Sequence, residues 1–244
     1  MYLLILLGLS SVRPTYILTI SLVLPEPVAF YPLNKHFTTN DEQNKAELRG
    51  SASNVVLTRG PHNERLAEHM NFGGGILDVQ HSFTLMCWVR PGGQDGPIFN
   101  YKKTGAWGVH IWIVAGKFFN RVTKYPNHAF LPAIISDQPL KVEKWVHVAA
   151  TYNHLTGANS IYVNGVLSKM QNIGTGYRIS TNDAAVRMGV KRGDGRYFKG
   201  AIAQMRVYNV ALTPEQIVAV MNQGNALSVK SNCLVHASWR YCQI

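Results

Sequence analysis

Charge is scarce in this chain: Asp, Glu, Lys and Arg make up 15% of its 244 residues, against about a quarter in an ordinary soluble domain. With 46% of residues hydrophobic, extended disorder is excluded. Acidic residues are the rarer sign, 13 against 24 Lys and Arg, for a net charge of +11. Such an excess favours anionic partners such as sulfated glycans, nucleic acid or lipid head groups. Zinc-finger spacing and aromatic-rich nucleic-acid motifs are both missing, and the cations are interleaved with β pattern rather than massed on one helix, so no nucleic-acid partner is expected. Nor does any Asn-x-Ser/Thr triplet occur, and N-glycosylation is not expected.

Cysteine is nearly absent. Of Cys87, Cys233 and Cys242, one must be left over. Cys233 and Cys242 flank a short loop and could close it, whereas Cys87 sits in the apolar run Phe83 to Val89 and reads as a buried thiol. The chain is long enough to bury a large core without metals or disulfides. The two apolar runs near the N-terminus, Tyr2 to Leu9 and Tyr16 to Leu24, are separated by Arg13-Pro14 and are each too short to span a bilayer. Residues 1–24 therefore read as a secretory signal, with an uncleaved signal anchor as the rival. The expectation is an extracellular protein with no stable membrane span.

What is abundant is turn signal: 21 Gly and 11 Pro without any G-X-Y period. Between these turns lie short apolar or alternating runs that predict an all-β sandwich or barrel. Expected strands are Val28 to Tyr31, Asn54 to Leu57, Leu66 to Phe72, Ile76 to Val79, Phe83 to Arg90, Pro97 to Tyr101, Trp107 to Val114 and Phe118 to Thr123. They continue with Ala129 to Ile135, Trp145 to Tyr152, Ser160 to Val163, Val166 to Met170, Val186 to Val190 and Tyr197 to Tyr208. Asn164-Gly165 supplies the positive φ angles of a two-residue type I′ turn. One helix is expected over Thr213 to Gly224, with Thr213 as N-cap, Pro214 in the first turn and Gln216 closing a capping box. Its Ile217, Val220 and Met221 fall on one face that packs on the sandwich. The domain is placed at 28–224 and a tail at 225–244.

Five segments, in order, resemble the laminin G-like branch of the concanavalin A-like lectin/glucanase superfamily: Val28 to Leu33, Phe83 to Pro91, Glu143 to Tyr152, Ile161 to Gly165, and Tyr197 to Asn209 running on through Ala211 to Glu215. The resemblance implies a jelly-roll of two antiparallel sheets, with ligands bound by loops at the sandwich rim. It does not name the ligand.

Three chemistries are then open. Glucanases of the superfamily carry Glu-x-Asp-x-x-Glu along one strand, because alternation sets nucleophile and acid on one face; this spacing is missing here, and no enzyme is expected. A glucanase-like hydrolase is the least favoured alternative. Calcium, common among relatives, needs six to eight oxygen ligands, yet the position after Ile202 is Ala203 rather than an acid. Asp41 and Asn44 are the remaining candidates for a calcium-dependent lectin, and no cofactor is expected otherwise. In Trp145 to Tyr152, His147 reads as a satisfied strand histidine rather than a metal ligand.

The segment Arg178 to Arg206 is densely basic. Within it Arg187, Lys191, Arg192, Arg196 and Lys199 are the candidate site for a sulfated glycan, since guanidinium forks pair well with sulfates. Inside lies Arg192-Gly193-Asp194, the tripeptide that integrins recognise, although Gly193 and Gly195 are equally explained as turn residues. The expected function is a secreted, non-catalytic module that binds glycans or matrix and cell-surface proteins.

Overall fold

Two antiparallel sheets stacked face to face form the computed structural model of the chain, which describes residues 22–33, 58–61, 65–66, 70–74, 77–103, 106–182, 185–191 and 193–223. The strands are β1 (Ala29–Tyr31), β2 (Thr58–Arg59), β3 (Arg65–Leu66), β4 (Met70–Gly74), β5 (Phe83–Pro91), β6 (Gly96–Lys103), β7 (Ala106–Val114) and β8 (Lys117–Lys124). There follow β9 (Ala129–Phe130), β10 (Ile134–Pro139), β11 (Val146–Tyr152), β12 (Ala158–Val163), β13 (Val166–Asn172), β14 (Ala185–Met188) and β15 (Gly200–Tyr208). Helix α1 spans 214–223. One sheet orders β1-β15-β5-β11-β12-β13, the other β10-β8-β7-β6-β14-β4 with β9 attached to β8. The all-β architecture expected from the turn and strand pattern, the two-sheet jelly-roll that the resemblance implies and the one short helix are thus all present.

Alternation decides what lies between the sheets. Phe83, Leu85, Cys87 and Val89 of β5 and Val146, Val148, Ala150 and Tyr152 of β11 meet Val109, Ile111 and Ile113 of β7 in one core. Cys87 is a free buried thiol there, and burial raises its pKa. Asn120 and Asn159 bridge the sheets within this core, the Asn120 amide donating to Asn159 Oδ1 at 2.8 Å. The opposite face of the six-stranded sheet carries a second cluster, in which Met86, Ala149, Tyr162 and Tyr208 lie under Ile217 and Val220 of α1. Each such fully buried aliphatic side chain contributes about 1.5–3 kcal/mol. The capping box forms as expected: Gln216 N–H donates to Thr213 Oγ1, and Thr213 N–H to Gln216 Oε1. Asn164 and Gly165 have φ of 50° and 78°, as the type I′ turn requires.

Several boundaries differ from expectation for identifiable reasons. Leu77 to Gln80 form no strand, because Val79 N–H bonds the Thr181 hydroxyl instead of a ladder. The run Ala129 to Ile135 splits into β9 and β10, since Leu131 N–H turns back to Val122 O and Pro132 has no N–H to give. Strand β14 stops at Met188, before Gly189 at φ 69°. Strand β15 starts only at Gly200, whose φ is 138° and where a Cβ would lie 2.1 Å from Arg90 O; Tyr197 keeps a lone bridge to Val190. His147 is buried but not satisfied: its Nδ1 has no hydrogen-bond partner among the described residues, and its ring meets Trp88 edge-on at 5.3 Å. Residues before Val28 join the fold as well. Leu24 packs on the second cluster, and Gln216 Nε2 donates to Val23 O. Asn54 to Leu57, residues 1–21 and 224–244, and with them Cys233 and Cys242, lie outside the described residues.

Candidate functional site: an aromatic and cationic sheet face

The outer face of the seven-stranded sheet is built by β7. Val109, Ile111 and Ile113 point into the core, so His110 and Trp112 point out. A bulge at Gly108 shifts the register, Tyr101 pairing with Val109 but Lys102 with Trp107, and brings Trp107 onto the outer face too. Only glycine fits at 108, because a Cβ would sit 1.5 Å from Ser180 O. Trp107 stacks on His110 at 3.8 Å and on Phe130 of β9 at 5.1 Å. His110 in turn lies 5.5 Å from Trp112. The result is a continuous run of rings, Phe130, Trp107, His110, Trp112, crossing the sheet.

Cations flank that run. Arg121 pairs with His110 across the strands and holds its guanidinium 5.3 Å over Phe130. Lys102 lies opposite Trp107, and Arg187 opposite Asn100. Asn100 fixes Trp112 by accepting its indole N–H at 2.7 Å, and donates to Val190 O. Above Trp112 sit Lys191 at 5.5 Å and Arg196 at 4.6 Å from the ring centre, which leave the indole only 4% exposed. Burial, and then Lys191, Lys102 and Arg121, push the His110 pKa down to about 3. At neutral pH this imidazole is therefore an uncharged ring.

Asp194 ties the covering loop together. Arg196 donates to it through Nη2 at 2.7 Å, Nε at 2.9 Å and its backbone N–H at 3.0 Å, and Lys191 Nζ lies at 3.3 Å. The Arg196 bonds, chiefly, hold its carboxyl well below the usual carboxylate range. Gly193 is exposed at the tip, but the Asp194 carboxylate of the tripeptide is already engaged; Arg192 lies outside the described residues.

Of the residues expected to bind a sulfated glycan, the fold brings Arg187, Lys191 and Arg196 onto this face. Lys199 stands at the rim, its carbonyl accepting Gly92 N–H. The basic segment as a whole is divided: Arg178 lies over Tyr125, and Arg206 packs on Phe30 at the other sheet. Asp41 and Asn44 are outside the described residues. Residues not anticipated are Lys102, Trp107, His110, Trp112, Arg121 and Phe130. The alternation in Val-His-Ile-Trp-Ile, with rings on one face and aliphatics on the other, was the signal for His110 and Trp112; Trp107 has the parity of the aliphatics and reaches the ring face only through the bulge at Gly108.

A family model described as the concanavalin A-like lectin/glucanases superfamily matches residues 66–218, more than half of the chain. The chain belongs to this superfamily. No curated protein matches it in sequence. Solved structures similar to this superfamily member include domain 4 of AbnA, a GH43 extracellular arabinanase from Geobacillus stearothermophilus, in complex with arabinotriose. Identity there is 19%, covering 80% of this chain and 97% of that one, at TM-score 0.60. The botulinum neurotoxin serotype D ligand-binding domain in complex with N-acetylneuraminic acid is 15% identical over 80% of this chain and 50% of its own, at TM-score 0.58. A heptameric SAP-like pentraxin from Limulus polyphemus is 20% identical over 70% and 78%, at TM-score 0.50. The chain thus spans about half the length of the neurotoxin domain. At such identities the likeness is one of fold.

Proposed function

We propose that the chain is an extracellular, non-catalytic module that binds glycans, acidic ones in preference, on the outer face of the seven-stranded sheet. The observation that carries this is the run Phe130, Trp107, His110, Trp112 with cations along its flanks. A sugar ring presents an apolar C–H face that matches the negative face of an aromatic ring, and stacking removes both from water. Carboxylates or sulfates on the same sugars would pair with Arg121, Lys102, Arg187 and the Lys191–Arg196 loop. Related structures bound to arabinotriose and to N-acetylneuraminic acid support a glycan as the kind of partner. Export is supported by the apolar N-terminal segment.

Glycoside hydrolysis needs two opposed carboxyl groups, and the superfamily includes enzymes as well as lectins. The carboxylate beside Trp112 is Asp194, and its oxygens are held by Arg196 and Lys191, which favours binding over catalysis. Trp107→Ala should reduce binding to an acidic glycan on an array or heparin column by about tenfold, while Trp107→Phe keeps most of it. Equal retention of wild type and Trp107→Ala would refute the reading.

A further inference from the structure

A separate cleft opens at the rim where the loop after β10 meets the turn between β12 and β13. Its volume is about 410 Å³, at the small end of ligand sites. Leu140, Trp145 and Val163 form apolar wall, and Lys141, Lys144 and Asn164 supply the polar groups. Neither ammonium has an ion-pair partner among the described residues, and both lysines are exposed. Asn164 Oδ1 accepts His147 N–H at 3.0 Å, so the amide group left over is a donor. The acid of this loop, Glu143, does not line the cleft; it faces Arg90, Oε2 to Nε 3.9 Å. The lining therefore offers donors and positive charge beside one aromatic ring, and no carboxylate.

The loop is also held in an unusual backbone state. Glu143 has φ 56°, a region that costs a non-glycine residue energy and persists only where its surroundings enforce it. Enforcement comes from Glu143 N–H donating to Pro91 O at 2.8 Å and Lys144 N–H to Lys141 O at 3.4 Å. The turn sets Lys141 and Lys144 on the same cleft on either side of Glu143.

We infer that this cleft is a second carbohydrate subsite, taking a single acidic sugar ring with its apolar face on Trp145 and its anionic group between Lys141 and Lys144. It is independent of the aromatic sheet face. D-Glucuronate and D-glucose, which differ in a carboxylate against a hydroxymethyl group, are the probes, with inorganic sulfate as a third. The readout is ¹⁹F NMR of the full chain labelled with 5-fluorotryptophan, whose Trp145 signal is the one that Trp145→Phe removes. Glucuronate should shift that signal saturably, at lower concentration than sulfate, and glucose should leave it in place. Lys141→Gln with Lys144→Gln should weaken the response about tenfold, and Trp107→Ala should leave it unchanged. No shift, an equal shift with glucose or with sulfate, or indifference to the lysine changes would each overturn the inference. Loss of the response in Trp107→Ala would merge this cleft with the sheet face and overturn its independence.

Discussion

Asp194 acts as an internal anion on the proposed binding face, and its removal has a calculable effect. Five cations, Lys102, Arg121, Arg187, Lys191 and Arg196, face the ring run or its covering loop, and Asp194 neutralises one charge among the last two. Over these six groups the net charge is +4, and Asp194→Asn makes it +5; Asp95, which also acts on Arg196, is common to both proteins. Each cation that neutralises a polyanion charge releases counterions, with a slope of about 0.7–0.9 in log affinity per log salt. Wild type should then show a slope of about −3 against heparin, and the variant about −4. Between 50 and 200 mM salt, about 0.6 log units, one extra cation steepens the loss by about threefold, so the variant's gain is greatest at low salt.

The cost to the fold is small by comparison. Arg196 is 60% exposed, though Asp194 and Lys191 are only 14% and 15% exposed, so about 1 kcal/mol of stability is at stake. Asn also retains an oxygen to accept the Arg196 backbone N–H. Isothermal titration with a defined heparin oligosaccharide at four salt concentrations gives the slopes, and urea unfolding of the same samples gives the stability. Weaker binding by a fully folded Asp194→Asn, or an unchanged slope, would mean that the Asp194 cluster only staples the loop and that Lys191 and Arg196 do not meet the ligand.

Stability should fall as pH drops from about 6.5 towards 3. His110 and His147 are both lowered to about 3 by burial, so the unfolded chain takes up protons first, at up to about 1.4 kcal/mol per pH unit for each histidine. Urea midpoints across that range check this, and a flat profile would count against neutral buried imidazoles. Asp194 adds the opposite ionisation with the same trend: its contribution is complete above about pH 4 and is lost as pH falls further. Ile217→Ala, at a fully buried position of α1, should cost about 2–4 kcal/mol in urea without altering heparin retention. Melting temperatures in excess calcium and in chelator should nearly coincide, because a tightly bound native-state ion would raise the first through linkage; a large calcium-dependent rise would restore the lectin reading with Asp41 and Asn44.

Much of the fold was legible because its signals are local. The Asn164-Gly165 turn, the Thr213/Gln216 capping box and the alternation of β5 and β11 depend on a few neighbouring residues, and each formed as the physics of those residues requires. The misplaced boundaries depend on distant partners. Thr181 takes the Val79 amide across 102 residues of chain, and the Arg90 carbonyl crowds Gly200. The same holds for the site. Charge density along Arg178 to Arg206 singled out Arg187, Lys191 and Arg196, which the fold brings to one sheet face, but it could not show that Arg206 belongs to the opposite sheet.

Which outward aromatics are free to bind is a tertiary question, and the two sheets answer it differently. Tyr162 and Tyr208 point out from the six-stranded sheet just as Trp107 and Phe130 point out from the other. Helix α1 and Leu24 lie over the tyrosines, which become a second core with 6% and 2% exposure. Over the rings of the seven-stranded sheet, Lys191 and Arg196 of the loop around Asp194 cover Trp112, and Arg121 reaches over Phe130, which remains 64% exposed. An outward ring under a helix stabilises the fold; Phe130, outward, beside Arg121 and open to water, is the ring of the run that the proposed ligand would cover. That asymmetry between two similar strand patterns, rather than the net charge of the chain, is what locates the proposed site.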